Sequence, residues 1–306
     1  MQELLGEVSR RKPARTGSLI ITVFGDSVAQ HGNSIWLGSL IRLLQPFGLN
    51  PRQIRTAVFR LAREDWLVAR QVGRKSYYSL SESGLRQCSR AARRIYAARQ
   101  PAWDGRWTLV LVAALDGEER DQLRRELLWL GYGTLSPGVL AHPTADRSLL
   151  DEVLQRRRAA PPVVVFEART PDPGSADSLR TLCQDCWGLD ALAARYLEFV
   201  RRFRPVYQAL QSSAAPLAED RSFQLRTLLI HEYRRILLHD TDLPDELLPA
   251  NWTGRMAFNL TGNLYRGVEA GAERYLAEAV ETIDGGLPPP DHGYLGRFGG
   301  LAAAPA

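Results

Sequence analysis

The sequence predicts an α+β chain in three folded parts: an N-terminal winged helix-turn-helix over residues 18–100, a central ferredoxin-like βαββαβ segment over 101–175, and an α-helical C-terminal part over 176–284. Three observations carry this. A cleanly capped helix near residue 50 is followed by two strand-like runs around a basic turn. Between 107 and 167, apolar strands alternate with amphipathic helices in the order β-α-β-β-α-β, the split βαβ pattern. Beyond Asp177 the apolar residues recur almost throughout at helical spacing.

The first helix runs from Ser18 to about Gln30, with Leu19, Ile20, Val23 and Phe24 on one side. Ile35–Leu37 reads as a small strand, and Gly38–Gln45 as a second helix that Pro46 stops. Asn50 then stands as N-cap, with Pro51 at the first helical position and Gln53 at capping-box spacing. Ile54, Ala57, Val58 and Leu61 form a stripe for burial. At 100° per residue Arg52, Arg55, Thr56, Phe59, Arg60 and Arg63 lie opposite, although Thr56 and Phe59 also suit packing on a neighbouring helix. Trp66–Val72 and Ser76–Leu80 flank a Gly73-Arg74-Lys75 turn, so a basic hairpin tip follows the helix. A further helix from Glu82 to about Arg99 leads out of this part.

Charge singles out the same region. Residues 1–100 hold 17 Lys/Arg against 6 Asp/Glu, a net of +11, while the remainder holds 22 against 28, a net of −6. A basic third on an acidic remainder points to a polyanionic partner for that third alone. The expected contacts with double-stranded DNA are Arg55 and Thr56 to base edges, and Arg52, Arg60 and Arg63 to phosphates or the groove rim, with Gln53 also among the DNA-binding residues. Arg70, Arg74 and Lys75 serve in the wing. Residues 1–17, with Arg10, Arg11, Lys12 and Arg15, read as a flexible basic arm.

The middle segment opens with the apolar run Trp107–Leu115 and ends with the strand Val163–Glu167; Ser136-Pro137-Gly138 is a turn. Asp116 at the end of the first strand suits a metal-dependent nuclease or, with Glu119 three residues on, a capping box. The carboxylates and histidines that a hydrolytic metal site needs do not assemble around it, so the cap is preferred. In the C-terminal part Leu189–Leu210 and Phe223–Leu238 are long amphipathic runs. Two further helices are expected at about 252–265 and 268–283, and a disordered tail over 285–306.

Composition bounds the rest. With 45% hydrophobic and 24% charged residues, 306 residues make an ordinary globular chain, not a disordered, collagenous or disulfide-stapled one. Three cysteines, at 88, 183 and 186, fit a reducing, cytoplasmic setting better than a secreted framework. No apolar run approaches a membrane span, and Asp26 cuts short the one stretch, Leu19–Phe24, that follows basic residues as in a signal peptide. Cys183-x-x-Cys186 lacks a second pair and reads as core packing. His231-Glu232 begins like a zinc-protease motif, but Arg235 stands where a second His is required. Catalytic and metal-ligating residues are therefore assigned to none. His231, Tyr233, Arg234 and Arg235, with Trp187, remain a candidate anion-binding group, against salt bridging to Glu232 and Asp240.

The blocks Asn50–Leu61, Trp66-Leu67 and Gly73–Leu80 resemble the winged-helix part of the PaaX-type repressors of phenylacetate degradation. Leu229–Asp240, with Leu243-Pro244, Leu247–Pro249 and Trp252, resembles that family's C-terminal domain. The resemblance spans about 17–283 and implies a central Cas2-like domain, a homodimer, and binding to operator DNA. It further implies release by an aryl-CoA thioester such as phenylacetyl-CoA; no cofactor is expected and, from the lack of a long apolar run, no membrane partner. Gln30–Asn33 and the Cys183/Cys186 pair depart from the family pattern.

Overall fold

The computed structural model describes residues 16–97, 102–112, 115, 117–156, 163–170 and 176–301. The expected basic arm and Asp116 thus lie outside the described residues, except that Thr16 and Gly17 open the first helix. The chain is mixed α and β. It divides into two compact units. One contains residues up to 98 together with 197–235 and 255 onward; the other contains 99–196 and 236–254. This division departs from the linear three-part expectation, because most of the C-terminal helices share a core with the N-terminal part.

In the first unit α1 (Thr16–Val23) passes directly into a π-helical turn, Phe24–Val28, in which the Ala29 N–H donates to the Phe24 carbonyl. β1 (Ile35–Trp36) and α2 (Leu37–Leu44) follow, then α3 (Pro51–Arg63), β2 (Leu67–Val72), β3 (Lys75–Leu80) and α4 (Glu82–Tyr96). The strands form an antiparallel sheet in the order β1-β3-β2. Val72 pairs with Lys75 across a two-residue turn, where Gly73 takes φ +58°. Asn33 extends this sheet with its side chain: its amide donates to the Leu80 carbonyl at 3.1 Å and accepts from the Leu80 N–H at 3.0 Å.

The second unit holds β4 (Arg106–Leu111), α5 (Gly117–Trp129), β5 (Gly133–Ser136), β6 (Val139–His142), α6 (Arg147–Gln155) and β7 (Val164–Arg169). Its antiparallel sheet has the order β5-β6-β4-β7. Val110, Leu140 and Val165 on one face pack against Leu123, Leu127, Leu150 and Val153 of the two helices. α7 (Ala176–Cys186) lies in the same unit and brings Trp187 over Gly133, where a Cβ would fall 2.5 Å from the indole.

α8 (Leu189–Gln211), α9 (Glu219–Leu237) and α10 (Thr253–Ala279) carry the chain between the units. α10 is one helix of 27 residues where two were expected. The buried stripe Ala257, Thr261, Leu264, Val268, Ala272, Leu276 runs through Gly267 and outweighs the ~1 kcal/mol that an interior glycine costs. Phe223, Ala272, Leu276 and Val280 join Leu19, Val23, Phe24, Leu43, Val58 and Leu61 in one core.

The expected disordered tail is ordered as far as Leu301. β8 (Glu281–Thr282) and β9 (Gly285–Gly286) pair, α11 (His292–Leu295) follows, and Tyr294, Arg297 and Phe298 are buried. Its glycines and prolines serve turns, and three anchoring side chains hold it. No helix among the described residues is long and apolar enough to cross a membrane.

Candidate nucleic-acid interface

α3 is fixed at its start by a complete capping box. The Gln53 N–H donates to Asn50 Oδ1 at 2.9 Å and the Asn50 N–H donates to Gln53 Oε1 at 3.0 Å. Ile54, Ala57, Val58 and Leu61 bury one stripe, which leaves Arg52, Gln53, Arg55, Thr56, Phe59, Arg60 and Arg63 exposed on the other side. The hairpin beside it exposes Arg70 and Arg74. One exposed surface thus carries six guanidiniums on α3 and the β2–β3 hairpin.

Three of the anticipated contacts have other partners. Gln53 is occupied as the cap. Arg60 lies 3.7 Å from Glu64 and its guanidinium reaches back over Gly17. Lys75, at the hairpin tip, donates to both Glu281 oxygens at 2.6 and 2.7 Å and sits 4.7 Å above the Trp36 ring. That hydrogen bond raises the Lys75 pKa and lowers that of Glu281. Tyr77 donates to the same carboxylate at 2.8 Å.

Beneath the surface lies a cluster that sequence reasoning missed. Asp26, on the π turn, is 3.1 Å from both Arg226 Nε and Arg297 Nη1. It also accepts from Tyr96 at 2.6 Å and Tyr265 at 3.1 Å. Arg226 is fully buried and donates to Ser27 at 2.9 Å and to Glu273 at 2.6 Å. His31 places one ring nitrogen 2.6 Å from the Ser27 carbonyl and the other 2.8 Å from Glu273. Burial alone would raise the Glu273 pKa, but His31 and Arg226 outweigh it and hold it down to about 2. Two carboxylates face two guanidiniums, so the buried charge is matched. Asp26 interrupting an apolar run was the one visible signal; nothing in the pattern around Arg226 or Arg297 pairs either with it.

Of the candidate anion-binding group, His231 and Arg234 meet at one hydroxyl. His231 is buried, 3.0 Å from Thr22 Oγ1, and burial with nearby Arg234 and Arg235 lowers its pKa to about 3. Arg234 donates to the same hydroxyl at 3.2 Å, and burial lowers its pKa. Tyr233 is buried against Phe199, and Arg235 pairs with Glu232 at 3.3 Å while remaining exposed. Trp187 belongs to the other unit, where its indole donates to the Gly131 carbonyl at 2.8 Å. Burial pushes the Cys183 thiol up to about 12 and raises Cys186 as well, so neither is poised as a thiolate. Among the described residues no group of three or more His, Cys, Asp or Glu could hold a metal ion.

A cationic helix face thus stands beside a hairpin that exposes two arginines, the arrangement expected of a regulator that acts on a polyanion. Residues 15–84, 100–180 and 187–278 match, respectively, the families described as PaaX-like protein, PaaX protein central Cas2-like domain and PaaX-like protein C-terminal domain. The transcriptional repressor PaaX of Escherichia coli (strain K12) is 42% identical over 289 residues, 94% of this chain and 92% of that protein. An uncharacterized protein of Mycobacterium tuberculosis, known in structure, is 27% identical, with TM-score 0.47, covering 76% of this chain and 89% of that one. The chain belongs to the PaaX family, and is a regulator rather than an enzyme.

Proposed function

We propose that the protein is a transcriptional repressor of an aromatic, phenylacetate-type catabolic operon. It binds operator DNA through a winged helix-turn-helix formed by α2, α3 and the β2–β3 hairpin. The observation that carries this reading is the solvent-facing side of α3, where Arg52, Arg55, Thr56 and Arg63 stand exposed on a helix locked by its capping box. α3 lies in the major groove, Arg55 and Thr56 meet base edges, and Arg70 and Arg74 hold backbone phosphates. The order β5-β6-β4-β7 supports a ferredoxin-like reading of the central part. A homodimer reads a palindromic site with half-sites about 34–36 Å apart.

Release follows when an aryl-CoA thioester binds the DNA-free conformation more tightly than the bound one. Of the residues expected to hold its anionic part, Arg235 alone keeps an exposed guanidinium, so the effector role narrows to it. The decisive experiment is a gel shift on promoter duplexes of aromatic-catabolic operons, with and without phenylacetyl-CoA and other acyl-CoA esters. A retarded band that one ester removes supports the reading; no retarded band on any such duplex overturns it.

A further inference from the structure

Phe59 is 66% exposed in the middle of the α3 face. Among the described residues no ring contact involves it, and it takes no part in the core against which the opposite stripe packs. An aromatic side chain left in water between arginines adds nothing to the fold, because apolar area stabilises only when it is removed from solvent. Its position is specific. Phe59 follows Arg55 by four residues and Thr56 by three, and precedes Arg63 by four, so it stands at the centre of the surface those residues frame. Side chains on a helix lean towards its N-terminus. The ring therefore covers the patch next to Arg55 and Thr56, the residues assigned to base edges.

The one alkyl group on a base pair's major-groove edge is the C5 methyl of thymine. We infer that Phe59 is a specificity-determining residue that reads a thymine methyl beside the base contacted by Arg55. This rests on the reading of α3 as the recognition helix. The ring displaces water from the methyl, and selectivity over cytosine arises because cytosine offers no such group. Burying one methyl is worth about 0.8 kcal/mol, which corresponds to a fourfold preference for thymine over uracil at that position.

The test uses the full chain and a duplex enriched by it from a random-sequence pool. Each thymine of that duplex is replaced in turn by deoxyuridine, which removes the methyl and nothing else, and affinities are measured by fluorescence anisotropy. The wild type is expected to lose about fourfold at one thymine in each half-site. The Phe59→Ala variant is expected to bind thymine and uracil duplexes alike at that position, and Phe59→Leu to keep part of the preference. Three results overturn the inference. In the first, Phe59→Ala keeps the wild-type uracil penalty while Arg55→Ala relaxes sequence preference, and the recognition helix stands without this contact. In the second, Phe59→Ala weakens both duplexes equally and shifts the sedimentation coefficient, which makes the ring a contact between copies. If no duplex is enriched at all, the helix does not read DNA and this inference falls with it.

Discussion

Lys75 stands at the tip of the hairpin proposed to meet phosphates, yet both oxygens of Glu281 already hold its ammonium. Glu281 therefore subtracts one cation from the wing. Glu281→Gln is expected to tighten binding to all duplexes and to steepen the salt dependence by about one unit, as an added phosphate contact does. Arg74→Ala is expected to act in the opposite sense, weakening binding across sequences, whereas Arg55→Ala should cost ~1–3 kcal/mol and relax sequence preference. Salt titrations of binding by the three variants check these outcomes together. The exposed arginines were legible because helical spacing alone assigns them to the face away from Ile54, Val58 and Leu61. The partner of Lys75 was not, since Glu281 lies 206 residues further on and no local pattern relates the two.

At the scale of elements, periodicity and capping located α3 because both signals are local: Asn50, Pro51 and Gln53 specify its start and Ile54 to Leu61 its buried side. α10 was misjudged for a complementary reason. Gly267 looks like a stop when only its neighbours are read, but packing along the whole helix decides its continuity. At Gly267 an added Cβ would meet nothing within 4 Å, and the residue is exposed. Gly267→Ala is therefore expected to stabilise the protein by about 0.5–1 kcal/mol, read as a higher urea midpoint with unchanged slope. The ordered tail was misread on composition. Tyr294, Arg297 and Phe298 anchor it by burial among distant helices, a property that glycine and proline content does not report.

For the molecule as a whole, buried charge ties the α1–α4 segment to helices far along the chain. Removing one member leaves the others unmatched out of water, so Arg226→Met is expected to destabilise the first unit by about 3–5 kcal/mol in denaturant titration. Acid should act on buried groups of both units. His231 has a native pKa of about 3 against 6.5 in the unfolded chain, and His142 about 4. Between those values and 6.5 the unfolded state holds more protons, so stability declines as pH falls from 6.5 towards 3. Glu273, held near 2, adds a further loss between about 4.5 and 2. His231→Gln is expected to shrink the difference in unfolding free energy between pH 7 and pH 4.

Asp26 and Arg297 meet although 271 residues separate them. At ~5–20 residues per second, a ribosome makes the first roughly 15–55 s before the second. Until Arg226 is made the nascent N-terminal helices carry an acid with neither counter-ion, and until Arg297 follows they carry it with only one of the two. Translation products that stop short of Arg297 are thus expected to unfold more readily than finished molecules and to be cleared sooner by proteases.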